Sequence, residues 1–153
     1  MTNPGIDALI GLMSNLNKQL SKGRRGRGLQ FKLNTPDDNP DWAGTISLRC
    51  NRVNNDKVSE VIDDIFRATK GDGEIIDRIG INKSVMYDKE TSERKILHDS
   101  RTVYLTLRPQ KDVFDVIMEG LGAQPEYTAP DVLTNTLYEY KYANEEVNGN
   151  VAE

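Results

Sequence analysis

Residues 101–108 read Arg-Thr-Val-Tyr-Leu-Thr-Leu-Arg, and the fold class turns on them. Val103, Leu105 and Leu107 alternate with Thr102, Tyr104, Thr106 and Arg108, a period of two that sends apolar groups inward and polar groups outward from a strand. The run is rich in β-branched and aromatic side chains, and Pro109 ends it. Upstream, Ile81, Val85 and Tyr87 suggest a strand, residues 88–92 a polar turn and residues 94–98 a return strand, which together make a hairpin. Residues 74–80 stay ambiguous between helix and strand, because Ile75, Ile76 and Ile79 fit neither period. Downstream, Val113, Phe114, Ile117 and Leu121 mark a helix over 111–121 that closes on Gly122.

Farther out, Leu29, Phe31 and Leu33 alternate with Gln30 and Lys32. Residues 43–53 repeat the pattern, with Ile46, Leu48 and Cys50 on one face and Thr45, Ser47, Arg49 and Asn51 on the other. A helix follows, carrying Val58, Val61, Ile62, Ile65 and Phe66, with candidate caps at 54–56 and a stop at Gly71. The first helix opens at Asn3-Pro4 and is striped by Ile6, Leu9, Met13, Leu16 and Leu20. Near the other end, residues 129–131 can start a short helix. Tyr138, Tyr140 and Tyr142 alternate with Glu139 and Lys141, which predicts a strand with three rings on one face, and disorder is expected from Ala143 onward.

Helices interspersed among strands that look like hairpin partners predict an α+β single domain, mainly an antiparallel sheet of about five strands with helices on one face. The alternative is a Greek-key, OB-like barrel with inserted helices. The parts divide as an amphipathic helix over 1–21, a basic glycine-rich loop over 22–28, the α+β domain over 29–142 and an acidic flexible tail over 143–153. The N-terminal helix and the loop are expected at an edge of the sheet.

The chain of 153 residues is 37% hydrophobic and 29% charged, enough for one core and without an apolar run that crosses a membrane. No signal-like segment opens it, and the lone Cys50 rules out an internal disulfide and a cysteine-rich zinc site, so a cytoplasmic location is expected. The net charge of −4 conceals two opposed ends. Residues 1–32 hold six cations against one acid, and residues 126–153 hold six acids against one cation.

The densest charge lies in residues 22–28, Lys-Gly-Arg-Arg-Gly-Arg-Gly. Guanidinium forks suit phosphate oxygens, and glycine joints let neighbouring forks point along a backbone. Lys22, Arg24, Arg25, Arg27 and Lys32 are therefore the candidate phosphate contacts, with Arg49, Tyr104 and Arg108 as an exposed sheet surface for charge and stacking. A competing reading is a protein-interaction or assembly module that uses Leu9, Met13 and Leu16 of the first helix and Tyr138 and Tyr140 near the end, with a homo-oligomer or another protein as partner. Chemistry is sparse: His98 and Cys50 are the sole histidine and cysteine, and no P-loop, calcium loop or nucleophile motif surrounds any candidate. The sequence thus points to a non-enzymatic protein without cofactor or metal, binding nucleic acid without base readout.

Overall fold

The computed structural model describes residues 4–20, 28–34, 44–70, 75–122 and 127–152, with side chains from Gly5 through Ala143. Its elements are α1 (Pro4–Leu20), β1 (Gly28–Asn34), β2 (Thr45–Asn54), a 3-10 turn (Asn55–Lys57), α2 (Val58–Ala68), β3 (Ile76–Tyr87), β4 (Arg94–Leu107), α3 (Lys111–Leu121) and α4 (Pro130–Ala152). The fold is α+β. One antiparallel sheet runs in the order β1-β2-β4-β3, so β1 and β3 are edges and the sheet does not close into the alternative barrel. Because β2 and β3 both oppose β4, they run parallel to each other, and α2 is the crossover between them.

The period-two pattern explains which side is covered. Leu29, Phe31 and Leu33 of β1 share a face with Ile46, Leu48 and Cys50 of β2 and with Val103, Leu105 and Leu107 of β4, all buried. Helices supply the rest of the core through Leu9, Met13, Val61, Ile65, Phe114, Ile117, Leu133 and Leu137. Each such side chain stabilises the fold by roughly 1.5–3 kcal/mol relative to exposure. No described helix packs on the other face of the sheet.

Four expectations are corrected. The sheet has four strands rather than about five, because the segments expected separately at 94–98 and 101–108 join as β4 and the strand expected at 137–142 is helical; β3 takes in most of the ambiguous 74–80 segment along with 81–87. Register shifts between Ile76 and Arg78 and between Lys83 and Ser84 break the alternation that a continuous strand would print in the sequence. Residues 137–142 are helical, not a strand, and the backbone stays helical to Ala152 where a flexible tail was expected. Leu133 and Leu137, one turn apart and buried, set the period, and Tyr138 stacks on Tyr142 at 6.0 Å in the same i, i+4 relation. Finally, α1 is not peripheral. It packs against α2, α4, β1 and β2, and an Asp7–Lys141 ion pair at 3.2 Å ties it to α4.

Smaller readings fared unevenly. Gly122 closes α3 as expected, with a φ of 68° and its N–H on the Met118 carbonyl at 2.7 Å. No side chain caps α2; Asn55 instead donates from Nδ2 to the His98 carbonyl at 2.9 Å, tying the crossover to β4. Phe66, placed on the apolar stripe of α2 by its spacing, is exposed. Cys50 is fully buried, and burial pushes its thiol up to about 12 from an ordinary 9.0. A thiol reagent at pH 8 should therefore leave the native protein unmodified and titrate one thiol after denaturation; rapid labelling of the native protein would show that the β2 core face opens.

Candidate nucleic-acid interface

The uncovered face of the sheet is built from the alternate residues of the same strands. In one cross-strand row Gln30 of β1, Arg49 of β2, Tyr104 of β4 and Gly80 of β3 stand side by side. The adjacent row is Lys32, Ser47, Thr106 and Arg78. Asn82 and Thr102 pair beyond the first row, and Asn34 and Thr45 beyond the second. These two four-residue rows bring Lys32, Arg49 and Arg78 onto one surface with no carboxylate among them.

Hydrogen bonds hold parts of this surface in place. Arg49 Nη2 donates to Gln30 Oε1 at 2.7 Å, and Asn51 Nδ2 donates to the same oxygen at 2.8 Å. The guanidinium lies over the Tyr127 ring at 4.1 Å from its centroid, a cation–π contact. Arg49 Nε is buried without a hydrogen-bond partner among the described residues. Arg49 is thus fixed in direction while part of its donor capacity remains unused. Asn34 Nδ2 donates to Thr45 Oγ1 at 3.2 Å and to Ser47 Oγ at 2.6 Å, which orders the margin beside Lys32. Lys32 and Arg78 make no ion pair among the described residues.

Of the sequence-predicted residues, Lys32, Arg49 and Tyr104 converge on this face. Arg108 lies at its end and is ion-paired with Asp77 at 3.0 Å, so its charge is partly offset. Lys22, Arg24, Arg25 and Arg27 lie outside the described residues. The flanks of that segment are placed: Leu20 ends α1, and Gly28 opens β1 opposite Asn51.

The residues assigned to partner binding stand elsewhere. Leu9, Met13 and Leu16 are wholly buried in the core, which corrects their reading as an exposed contact. Their apolar spacing is satisfied within the chain by the sheet, α2 and α4. Tyr138 and Tyr140 sit on α4, half-buried against the same core, rather than on a strand face.

Two functional candidates escaped the sequence reading. Arg78 belongs to the ambiguous 74–80 segment, and extending strand periodicity back from Ile81 through Ile79 would have placed it on the polar side. Tyr127 has no local signal. It is set beside Arg49 because its neighbour Thr128 forms a two-way backbone bridge with Phe31, at 3.0 and 2.8 Å, along the outer edge of β1.

Elsewhere the surface offers little chemistry. Among the described residues no group of three His, Cys, Asp or Glu side chains could hold a metal ion. Cys50 faces the core and His98 is exposed, so they do not form a nucleophile and base pair. An open cleft of about 370 Å³ is lined by Gln19, Leu20, Asn51, Arg52, Lys57 and Glu60, with a Lys57–Glu60 pair at 3.4 Å across its rim. In the β3–β4 turn, backbone N–H groups of Glu90 and Thr91 donate to Asp88 and hold its carboxyl below the usual range, a feature of turn geometry. No described helix is long and apolar enough to cross a membrane. Compared with known proteins, the chain matches no family model, no curated protein and no solved structure.

Proposed function

We propose that this is a non-enzymatic nucleic-acid-binding protein, phosphate-directed and indifferent to sequence, that takes a single strand on the open face of its sheet. The observation that carries the reading is the sheet face, free of any described helix, on which Lys32, Arg49 and Arg78 share two rows with Tyr104 and Arg49 stacks on the Tyr127 ring. Cations spaced across a sheet can follow a sugar-phosphate backbone, and tyrosine rings accept any base. The basic segment 22–28 extends the same chemistry, since its anchor Gly28 lies in β1, the strand that also carries Lys32. Each described helix carries a single Lys or Arg and so offers no basic reading face to a groove, and phosphate contact rather than base readout sets affinity in this reading. A cytoplasmic setting, where Cys50 stays reduced, belongs to the same reading.

Salt titration tests it. Replacing Lys32 and Arg78 together by Ala should lower the log–log salt slope for a single strand by roughly 1.4, because each neutralised phosphate releases about 0.7 counterions. Replacing Arg24, Arg25 and Arg27 together should lower it by roughly 2.1. The Lys32 and Arg78 pair should not shift the melting temperature much, as its replacement removes no core packing. Labelled single strands, duplex DNA and duplex RNA, titrated at several salt concentrations, give the slopes.

A second reading, an assembly module, draws on a different feature. The β3–β4 ribbon exposes Val85, Tyr87 and Ile96 on one face and Met86 on the other, apolar groups that a partner protein could cover. Absence of nucleic-acid binding at low salt would make this the better account.

A further inference from the structure

Among the described residues nothing requires Gly80 to be glycine. Its backbone is outside the left-handed region, and the nearest atom to a Cβ built there is Tyr104 Cβ at 4.0 Å, an ordinary contact. Glycine in a strand interior gives up both packing and conformational restriction, and it commonly marks a place where something approaches closely. Here the missing side chain leaves the flank of Tyr104 uncovered on the β3 side, because Gly80 is its cross-strand neighbour.

The cross-strand register sets which residues border the space that a side chain at Gly80 would fill. Tyr104 forms the wall and the Gly80 backbone the floor. Arg78 and Asn82 stand two residues to either side on β3, and both are exposed. On the opposite side of Tyr104 from Gly80 stands Arg49, already held by Gln30 and Tyr127. An aromatic wall, a bare backbone floor, an amide and a guanidinium suit a planar heterocycle attached to a phosphate chain. A base inside a duplex is already stacked on both sides and does not reach such a wall.

We infer that this notch receives an unpaired nucleobase of a single strand, stacked on Tyr104 over Gly80, while Arg78 contacts an adjoining phosphate. The inference rests on the nucleic-acid reading above and adds to it a base-dependent contact. It also assigns Gly80 a role as a positioning residue that acts by leaving room.

Two labelled strands of the same length, about 20 nucleotides, separate base from phosphate: oligothymidylate and an abasic sugar-phosphate strand. The native protein should bind oligothymidylate roughly tenfold more tightly, a stacking increment of ordinary size. Gly80→Val should erase that preference while leaving affinity for the abasic strand and its salt slope unchanged. The same variant should melt at a higher temperature, since valine suits an exposed strand better than glycine. Binding that falls while stability rises is a signature that a merely structural glycine does not give. Tyr104→Leu should reproduce the lost preference without altering the floor.

Equal affinity of the native protein for the two strands, or a preference that survives Gly80→Val, would overturn the notch and leave the phosphate reading standing. A change in sedimentation with Gly80→Val, in place of a change in base preference, would also overturn it and point to a second copy at the β3 edge. Failure to bind either strand at low salt would remove both readings.

Discussion

Leu9→Asp combined with Met13→Asp is expected to leave no cooperatively folded protein. Both side chains are completely buried, one turn apart, on a helix packed against the sheet, α2 and α4. Each substitution removes an apolar side chain from the core, costing about 2–5 kcal/mol, and adds a carboxylate with no nearby cation to pair it. Two such losses reach or exceed the roughly 5–15 kcal/mol that hold a domain of this kind together. Circular dichroism and a denaturant titration provide the measurement. A folded but smaller species in sedimentation would instead return α1 to the role of an exposed self-association helix.

The second large effect is expected at Gly44, just before β2. Its φ is +122°, and a Cβ added there would meet the Asn34 carbonyl oxygen and lie 2.5 Å from Cζ of the Phe114 ring. Backbone strain of about 1–3 kcal/mol adds to a comparable penalty for overpacking. Gly44→Ala should therefore melt roughly 10–15 °C below the native protein, using about 2–4 °C per kcal/mol for a chain of this size. Gly28 provides a built-in control. Its φ of +133° is similar, but an added Cβ there meets nothing within 4 Å, so Gly28→Ala should show the strain alone. Equal losses at the two sites would mean that the Phe114 contact yields at no cost.

These residues also show what a one-dimensional pattern can and cannot reveal. Alternation made the core strands readable at 29–33, 45–53 and 101–108, and three- and four-residue spacing made α1, α2 and α3 readable. It failed on β3 and the start of β4, where His98, Asp99 and Ser100 have no β3 partner and the chain steps out of phase. The tyrosine segment was misread because six residues of alternation fit either period, whereas the helical repeat emerges only when Leu133 and Leu137 are included. For the site, the polar sides of β1, β2 and β4 could be read directly, yielding Lys32, Arg49 and Tyr104. Arg78 and Gly80 were hidden by the bulge at the start of β3. Tyr127 depends on a bridge between residues distant in sequence, and no local pattern encodes such a contact. The burial of α1 was hidden in the same way, since a stripe of apolar residues does not say what covers it.

The contact between α1 and α4 bears on the order in which the molecule can assemble. α1 leaves the ribosome well before α4, the helix that covers it, and Asp7 waits for Lys141 to complete their ion pair. Local events such as closing the β3–β4 ribbon need only a short loop, but seating α1 requires a contact spanning most of the sequence, the kind that slows folding. During synthesis the apolar flank of α1 stays without its final cover until α4 has emerged, a period in which chaperones or neighbouring chains have access to it.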